Sequence, residues 1–242
     1  MVTILKIGSR GLLVTELQRA LNSKLRPSPN LVTDGVFGGN TYRAVRAFQV
    51  EKWLVIDGEA GVCTQNALYD TESYAPILHR IPFIPQPTNT TCWAASTAMM
   101  TNSTVTAVKA RTPQDMWSDQ AGLLNSSETD DAMTSGNRYA RIHNLRCNPP
   151  MSWSLGRLKG SLQRGPLMFD MLWDASGYAA GRGSSGHMIC VVGIRGNDDP
   201  SGAGTTLRLH DPWSPGIGKR ISVNAMKWLI EVPTRTYRVF EK

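Results

Sequence analysis

Gln86-Pro87-Thr88-Asn89-Thr90-Thr91-Cys92-Trp93-Ala94-Ala95-Ser96-Thr97-Ala98-Met99-Met100 is the stretch that decides how the longer part of this chain folds. The residues after Cys92 are small or apolar, and Ala and Met are strong helix formers, so the pattern predicts a buried helix. Asn89, Thr90 or Thr91 can cap its start. Cys92 then stands in the first turn, where the helix dipole and free N–H groups favour a thiolate, the form of cysteine that attacks. Gln86 precedes Cys92 by six positions. A side-chain amide there can donate, with the Cys92 N–H, to the oxyanion of a tetrahedral intermediate. Taken alone, Gln86 reads as a surface residue in a Pro-rich loop; it is the pairing with Cys92 at a helix start that favours the donor role.

A thiol nucleophile needs a base. The histidines are His79, His143, His187 and His210. His187 opens Gly186-His187-Met188-Ile189-Cys190-Val191-Val192-Gly193-Ile194, an apolar run bounded by glycines, which predicts a buried strand with His187 at its edge. The small residues Ser184, Ser185 and Gly186 beside it leave room for a substrate. His79 falls in a linker and His143 in a polar helical stretch, where a lone histidine serves structure. Thr205 to His210 reads as the next strand, and antiparallel pairing with 187–194 brings Asp211 back beside His187, where a carboxylate can orient the imidazole and fix its tautomer. His210 points to the opposite sheet face because strand side chains alternate.

Working outward, residues 71–90 hold four prolines and no helical period, so they read as extended chain. Before them an internal repeat stands out. Asp34-Gly35-Val36-Phe37-Gly38-Gly39-Asn40-Thr41 and Asp57-Gly58-Glu59-Ala60-Gly61-Val62-Cys63-Thr64 share the frame D-G-x-x-G-x-x-T. Asp-Gly makes a tight turn, the second Gly bends the chain again, and the Thr or its neighbour can cap the helix that follows. Leu12, Leu13, Leu17, Leu21 and Leu25 suggest one apolar helix face. Tyr42, Val45, Phe48, Gln49 and Trp53 suggest a second, and Cys63 to Tyr69 opens a third with Ala67 and Leu68 inward. The expected organisation is a small three-helix domain over 1–72, a linker over 73–80 and an α+β domain over 81–242. In the second domain a helix carries the cysteine, and an antiparallel sheet carries the histidine and aspartate.

Composition narrows the classes. At 41% hydrophobic and 19% charged residues the chain is globular in type. No apolar run approaches the ~18–20 residues of a membrane span. The net charge is +7, of which +1 falls in the first 75 residues. The basic residues are scattered singly, which argues against a nucleic-acid tract and fits either an anionic partner or plain solubility. Cys63, Cys92, Cys147 and Cys190 show no zinc-type spacing, and no metal or cofactor is expected. A bridge between Cys147 and Cys190 stays open.

Two resemblances follow from these motifs. The helix and D-G-x-x-G-x-x-T pattern over about residues 4–70 resembles the type 1 peptidoglycan-binding domain. That implies a cell-wall-binding module, with peptidoglycan as partner and Asp34, Gly35, Phe37, Gly38, Thr41, Asp57, Gly58, Gly61 and Thr64 as candidate contacts. The same residues can instead serve only to shape turns. Gln86 with Cys92-Trp93-Ala94-Ala95, then Gly186-His187, then Asp211-Pro212-Trp213 resembles the papain-like superfamily over roughly 80–242. Its effector-type and bacteriocin-leader-peptidase branches are the nearest in pattern. This implies Cys92 as nucleophile, His187 as base and acid, Asp211 as its orienter and Gln86 as oxyanion donor, with Trp93, Gly186 and Trp213 lining the substrate site. Thr-Thr-Cys-Trp departs from the Cys-Gly-Ser-Cys-Trp of the papain group proper, so substrate preference does not carry over.

Together the resemblances imply a cysteine peptidase or amidase that binds the cell wall and cuts amide bonds of peptidoglycan peptides. The alternative is an effector-type protease of proteins with the first domain as anchor or adaptor. The opening residues have a lone Lys6 and no small-residue cleavage site, so no Sec signal is expected. Delivery by a specialised secretion route, or release at lysis, would then bring the protein to a target-cell periplasm or wall. An immunity protein and a secretion component are further partners expected of an antibacterial toxin.

Overall fold

The computed structural model describes residues 2–124, 129–131, 136–148, 151–172, 186–231 and 236–242. Ser184 and Ser185 lie outside the described residues. Two compact units emerge. The first comprises Met1–Pro76 with the later stretches Arg195–Thr206 and Ser222–Met226, and the second holds the remainder.

The first unit contains α1 (Leu12–Lys24), α2 (Gly39–Glu51) and α3 (Val62–Leu68). Val14, Leu17, Leu21, Val45, Phe48, Ala67 and Leu68 form its core. The α1 face differs from the expected one. Val14, Leu17, Gln18 and Leu21 are buried, while Leu12 and Leu13 are exposed. Positions 14, 17, 18 and 21 keep the i, i+3, i+4, i+7 stripe, and the first two leucines fall off it. Trp53 lies beyond the end of α2 with φ 45°, outside the second helix face.

The threonines of the repeat do not cap their helices. Gly38 and Gly61 hold the N-cap positions, with no side-chain cap hydrogen bond. A buried glutamine organises each loop instead. Gln18 Nε2 donates to Asp34 Oδ1 (2.9 Å), Val36 O (3.1 Å) and Thr41 Oγ1 (3.2 Å), and Gln18 Oε1 accepts from Gly35 N (3.0 Å). Gln49 repeats the set on Asp57 (2.7 Å), Glu59 O (3.0 Å), Thr64 (3.1 Å) and Gly58 N (2.9 Å). Gly35 and Gly58 take φ +72° and +77°, the left-handed turn that favours glycine.

The later stretches pack within this unit. The Arg195 guanidinium pairs with Glu72 (2.8 and 2.7 Å), donates to Lys52 O (2.6 Å) and stacks over Trp53. Ser222 Oγ donates to Trp53 O (2.7 Å), and Asn224 Nδ2 donates to Ala203 O (2.9 Å). A cavity of about 260 Å³ lies where Asp57, Cys63 and Thr64 meet Ala203 and Asn224.

The second unit opens with β1 (Ile77–Leu78), α4 (Cys92–Thr101) and α5 (Val105–Arg111). The short ladders β2 (Trp117–Ser118) with β3 (Gly122–Leu123) and β4 (Thr129–Asp131) with β5 (Gly136–Asn137) come next, then α6 (Arg138–Ile142). The rest of its elements are β6 (Arg146–Asn148), α7 (Leu155–Arg164), β7 (Leu167–Leu172), β8 (Gly186–Gly196), β9 (Thr205–Asp211), β10 (Lys219–Asn224), α8 (Ala225–Glu231) and β11 (Thr236–Glu241). The main sheet runs β10-β9-β8-β7-β11-β6, with β1 antiparallel to β8. β7 pairs antiparallel with β8 in a register that sets Met171 opposite His187 and Leu172 opposite Gly186.

α4 is buried from Trp93 to Met100. A helix apolar on all sides belongs inside a core, and this one packs with Met168, Met188, Cys190, Val192 and Phe240 of the sheet. Ser96 Oγ donates to Met188 O (2.8 Å), and the Thr97 and Tyr139 hydroxyls share a 2.7 Å bond. The helix that carries Cys92 is thereby fixed to the strand that carries His187.

Candidate active site

Cys92 is the first residue of α4 and half-buried. Thr91 holds the N-cap position, yet its side chain makes no cap hydrogen bond. The expected capping of this helix by a neighbouring polar side chain is therefore not what Thr91 does. Its hydroxyl turns back, donating to Thr88 O (3.1 Å) and accepting from Thr88 N (3.0 Å).

His187 sits one residue into β8, 5% exposed. Its Nε2 is 2.7 Å from Asp211 Oδ1 at the end of β9. The same carboxylate oxygen accepts from Trp213 N at 2.9 Å, which fixes the carboxylate's orientation. Burial works against a charged imidazole here, but the Asp211 carboxylate and the Cys92 sulfur outweigh it and lift the His187 pKa to about 9. The sheet brings His187 and Asp211, far apart in sequence, into one hydrogen-bonded pair, and Cys92 at the start of α4 is near enough to act on the same imidazole.

Gln86 is fully buried. Its backbone is clamped to the loop after Asp211: Gln86 N donates to Pro212 O (3.0 Å) and Gly216 N donates to Gln86 O (2.9 Å). Its Nε2 donates to Thr88 O at 2.7 Å. Its Oε1 has no hydrogen-bond partner among the described residues. One N–H of the amide is engaged in the turn leading to Cys92.

The remaining histidines serve structure. His79 Nε2 lies 2.6 Å from Leu162 O. Buried His143 bonds the Thr112 hydroxyl (2.9 Å) and packs against Tyr139. His210 stacks edge-on against Phe83, and burial with Arg220 and Arg208 nearby pushes its pKa down to about 4, so it is neutral near pH 7. All four cysteines are free. Burial pushes the Cys147 thiol up to about 11 and Cys190 to about 12, which makes both packing groups.

The structure places the remaining expected contact residues as follows. Trp93 is 2% exposed, with its ring against Trp117 and Tyr139 in the core. Phe37 is 1% exposed and belongs to the core of the first unit. The polar groups of Asp34, Thr41, Asp57 and Thr64 are engaged by Gln18 and Gln49, and Gly35 and Gly58 form the turns. Gly38 and Gly61 start helices. Gly186 is exposed at the sheet rim beside His187, and Trp213 is half-buried next to Asp211. Sequence reasoning missed Gln18, Thr88 and Thr91 as organising residues and read Gln49 only as part of a helix face. Their signals were the matched Leu17-Gln18 and Phe48-Gln49 pairs and a Thr-x-x-Thr turn before the cysteine.

Among the described residues no cluster of His, Cys, Asp or Glu could hold a metal ion, and no helix is long and apolar enough to cross a membrane.

Comparison with known proteins adds to this geometry. A family model described as papain-like cysteine protease AvrRpt2 matches residues 77–231, and a peptidoglycan binding domain model matches residues 10–68. No curated protein matches the chain. Several solved structures resemble parts of it. The SleB N-terminal domain is 36% identical over 28% of this chain and 92% of its own, with TM-score 0.27. A Burkholderia AP3 phage endolysin is 30% identical over 50% of this chain and 41% of its own, with TM-score 0.27. A fused Zn-dependent amidase/peptidase/peptidoglycan-binding domain-containing protein from Clostridium acetobutylicum ATCC 824 is 29% identical over 43% of this chain and 46% of its own, with TM-score 0.26. The chain thus spans less than half of the latter two proteins. The match over residues 77–231 covers more than half of the sequence, and the chain belongs to the papain-like cysteine protease AvrRpt2 family, with a type 1 peptidoglycan-binding domain preceding the protease domain.

Proposed function

We propose that this protein binds bacterial cell wall and hydrolyses amide bonds in peptidoglycan peptides, with Cys92 as nucleophile, His187 as base and acid, Asp211 as orienter and Gln86 as oxyanion donor. The observation that carries the chemistry is the His187–Asp211 hydrogen bond, with Cys92 acting on the same imidazole from the start of α4. A protonated His187 beside the sulfur suits a thiolate–imidazolium pair. The thiolate adds to the carbonyl carbon, the oxyanion takes hydrogen bonds from Gln86 Nε2 and the Cys92 N–H, and His187 gives its proton to the leaving amine. Water, deprotonated by the same imidazole, then releases the acyl group and restores the thiol. The wall as substrate rests on the companion domain, which would raise the local concentration of stem peptides by tethering. On this reading the enzyme reaches a target-cell periplasm or wall by a specialised secretion route or at lysis.

The protease family itself favours a second reading, cleavage of proteins with the first domain as anchor. Incubation with purified sacculi and, separately, with denatured casein separates the two. New amino groups on soluble muropeptides with intact casein support the first, and intact sacculi with cut casein support the second. A Cys92→Ala protein with undiminished hydrolysis would refute the mechanism under both.

A further inference from the structure

We infer that Thr91 is a positioning residue for the oxyanion donor, holding the Gln86 amide through the Thr88 carbonyl. The inference rests on the proposed role of Gln86. Thr91 immediately precedes Cys92 and is 3% exposed. At the start of a helix a threonine hydroxyl ordinarily accepts from an N–H of the first turn, and here it does not. It closes a local turn in which Thr91 Oγ1 donates to Thr88 O (3.1 Å) and accepts from Thr88 N (3.0 Å), with the Thr88 hydroxyl 3.1 Å away. Thr88 O is also the partner of Gln86 Nε2, at 2.7 Å.

The consequence is geometric. The Gln86 backbone is fixed by Pro212 O and Gly216 N, but the direction of its amide depends on one carbonyl. That carbonyl is held by the hydroxyl (3.1 Å) and, more weakly, by the backbone N–H (3.5 Å) of the residue before the nucleophile. With Oε1 unpartnered, the Thr88 carbonyl is the one hydrogen-bond partner of the amide among the described residues. Thr91 thus links the donor's orientation to the helix on which Cys92 rides.

The test uses the full chain, p-nitrophenyl acetate as a small ester whose tetrahedral intermediate draws on the same donors, and iodoacetamide alkylation of Cys92 read by mass spectrometry. Alkylation reports the thiolate–imidazolium pair and needs no oxyanion donor. Thr91→Val should lower kcat about tenfold, a fraction of the loss expected on removing a donor outright, with KM and the alkylation rate within about twofold of wild type. Thr91→Ser, which keeps the hydroxyl, should restore turnover. In a Gln86→Ala background Thr91→Val should add little, because both changes act through one group. Should the valine protein fail to fold, Thr91→Ala carries the same comparison. Loss of alkylation in step with turnover, or losses that multiply with Gln86→Ala, would overturn the link. Undiminished turnover in Gln86→Ala or Cys92→Ala would instead show that the underlying reading of the site is wrong.

Discussion

Three buried glutamines, two in the first unit and one in the second, are treated differently by their surroundings. Gln18 and Gln49 have both amide atoms engaged, each holding an Asp-Gly turn and a threonine. Gln86 is at least as buried, yet its Oε1 is unpartnered and its nitrogen has one engaged hydrogen. Leaving a buried polar atom unpaired costs about 1–3 kcal/mol. A fold tolerates that where the group is needed for something else, and functional sites are where such violations collect. The first two amides build structure, and the third carries an open acceptor beside the turn that leads to Cys92.

Crossed substitutions break or sharpen this contrast. The largest effect is expected at Gln86: Gln86→Ala should lower kcat by about 10²–10³-fold, the usual loss for one oxyanion donor, with only a small change in Tm. Gln49→Ala should do the reverse. At about 1–3 kcal/mol for each buried group left unpaired, it should destabilise the protein by at least about 2 kcal/mol in urea titration, with kcat per folded molecule unchanged. Gln18→Ala should behave similarly but more mildly, because only the Asp57–Thr64 loop also meets Ala203 and Asn224. Equal kinetic losses from Gln49→Ala and Gln86→Ala would erase the distinction.

Charged centres should respond to pH where neutral amides do not. His187 has a folded pKa raised from 6.5 to about 9. Its contribution to stability is complete below 6.5 and is lost as pH rises through about 9, and turnover should fall on the same limb. Asp211→Asn, which removes the carboxylate at 2.7 Å, should shift that limb to lower pH in a kcat/KM profile. Glu241 has the opposite sign and should give the smallest effect. Burial opposes its charge, but bonds from Arg164, Arg146 and Asn148 hold its carboxyl below the usual 4.5. The stability it supplies is present above 4.5 and lost as pH falls, so Glu241→Gln should flatten the acid side of a Tm–pH curve.

Much of the arrangement was legible because it is periodic or local. The Asp-Gly turns announced the two loops, the Ala and Met run announced α4, and the glycine-bounded apolar run announced β8. Antiparallel return of Thr205–Asp211 was enough to bring an acid to His187. What stayed hidden depends on partners distant in sequence. Which of Leu12, Leu13, Val14 and Leu17 face inward follows from where α2 and α3 lie. Trp93 is a large aromatic beside Cys92, and only the packing of Trp117 and Tyr139 shows that it belongs to the core. Thr41 and Thr64 occupy plausible cap positions, but a glutamine from the preceding helix engages their hydroxyls first.

Arg195 carries a consequence for heredity. It lies near the end of β8, yet its guanidinium finds Glu72, Lys52 and Trp53 in the first unit, with both members of the ion pair mostly shielded from solvent. A gene cut after residue 76 would separate the two partners and strand a buried charge, a loss of about 3–5 kcal/mol when one member of such a pair is removed. Cutting at the boundary that sequence similarity draws therefore carries that cost on both sides, and a cut that keeps the pair intact has to take residues 195–206 and 222–226 into account as well.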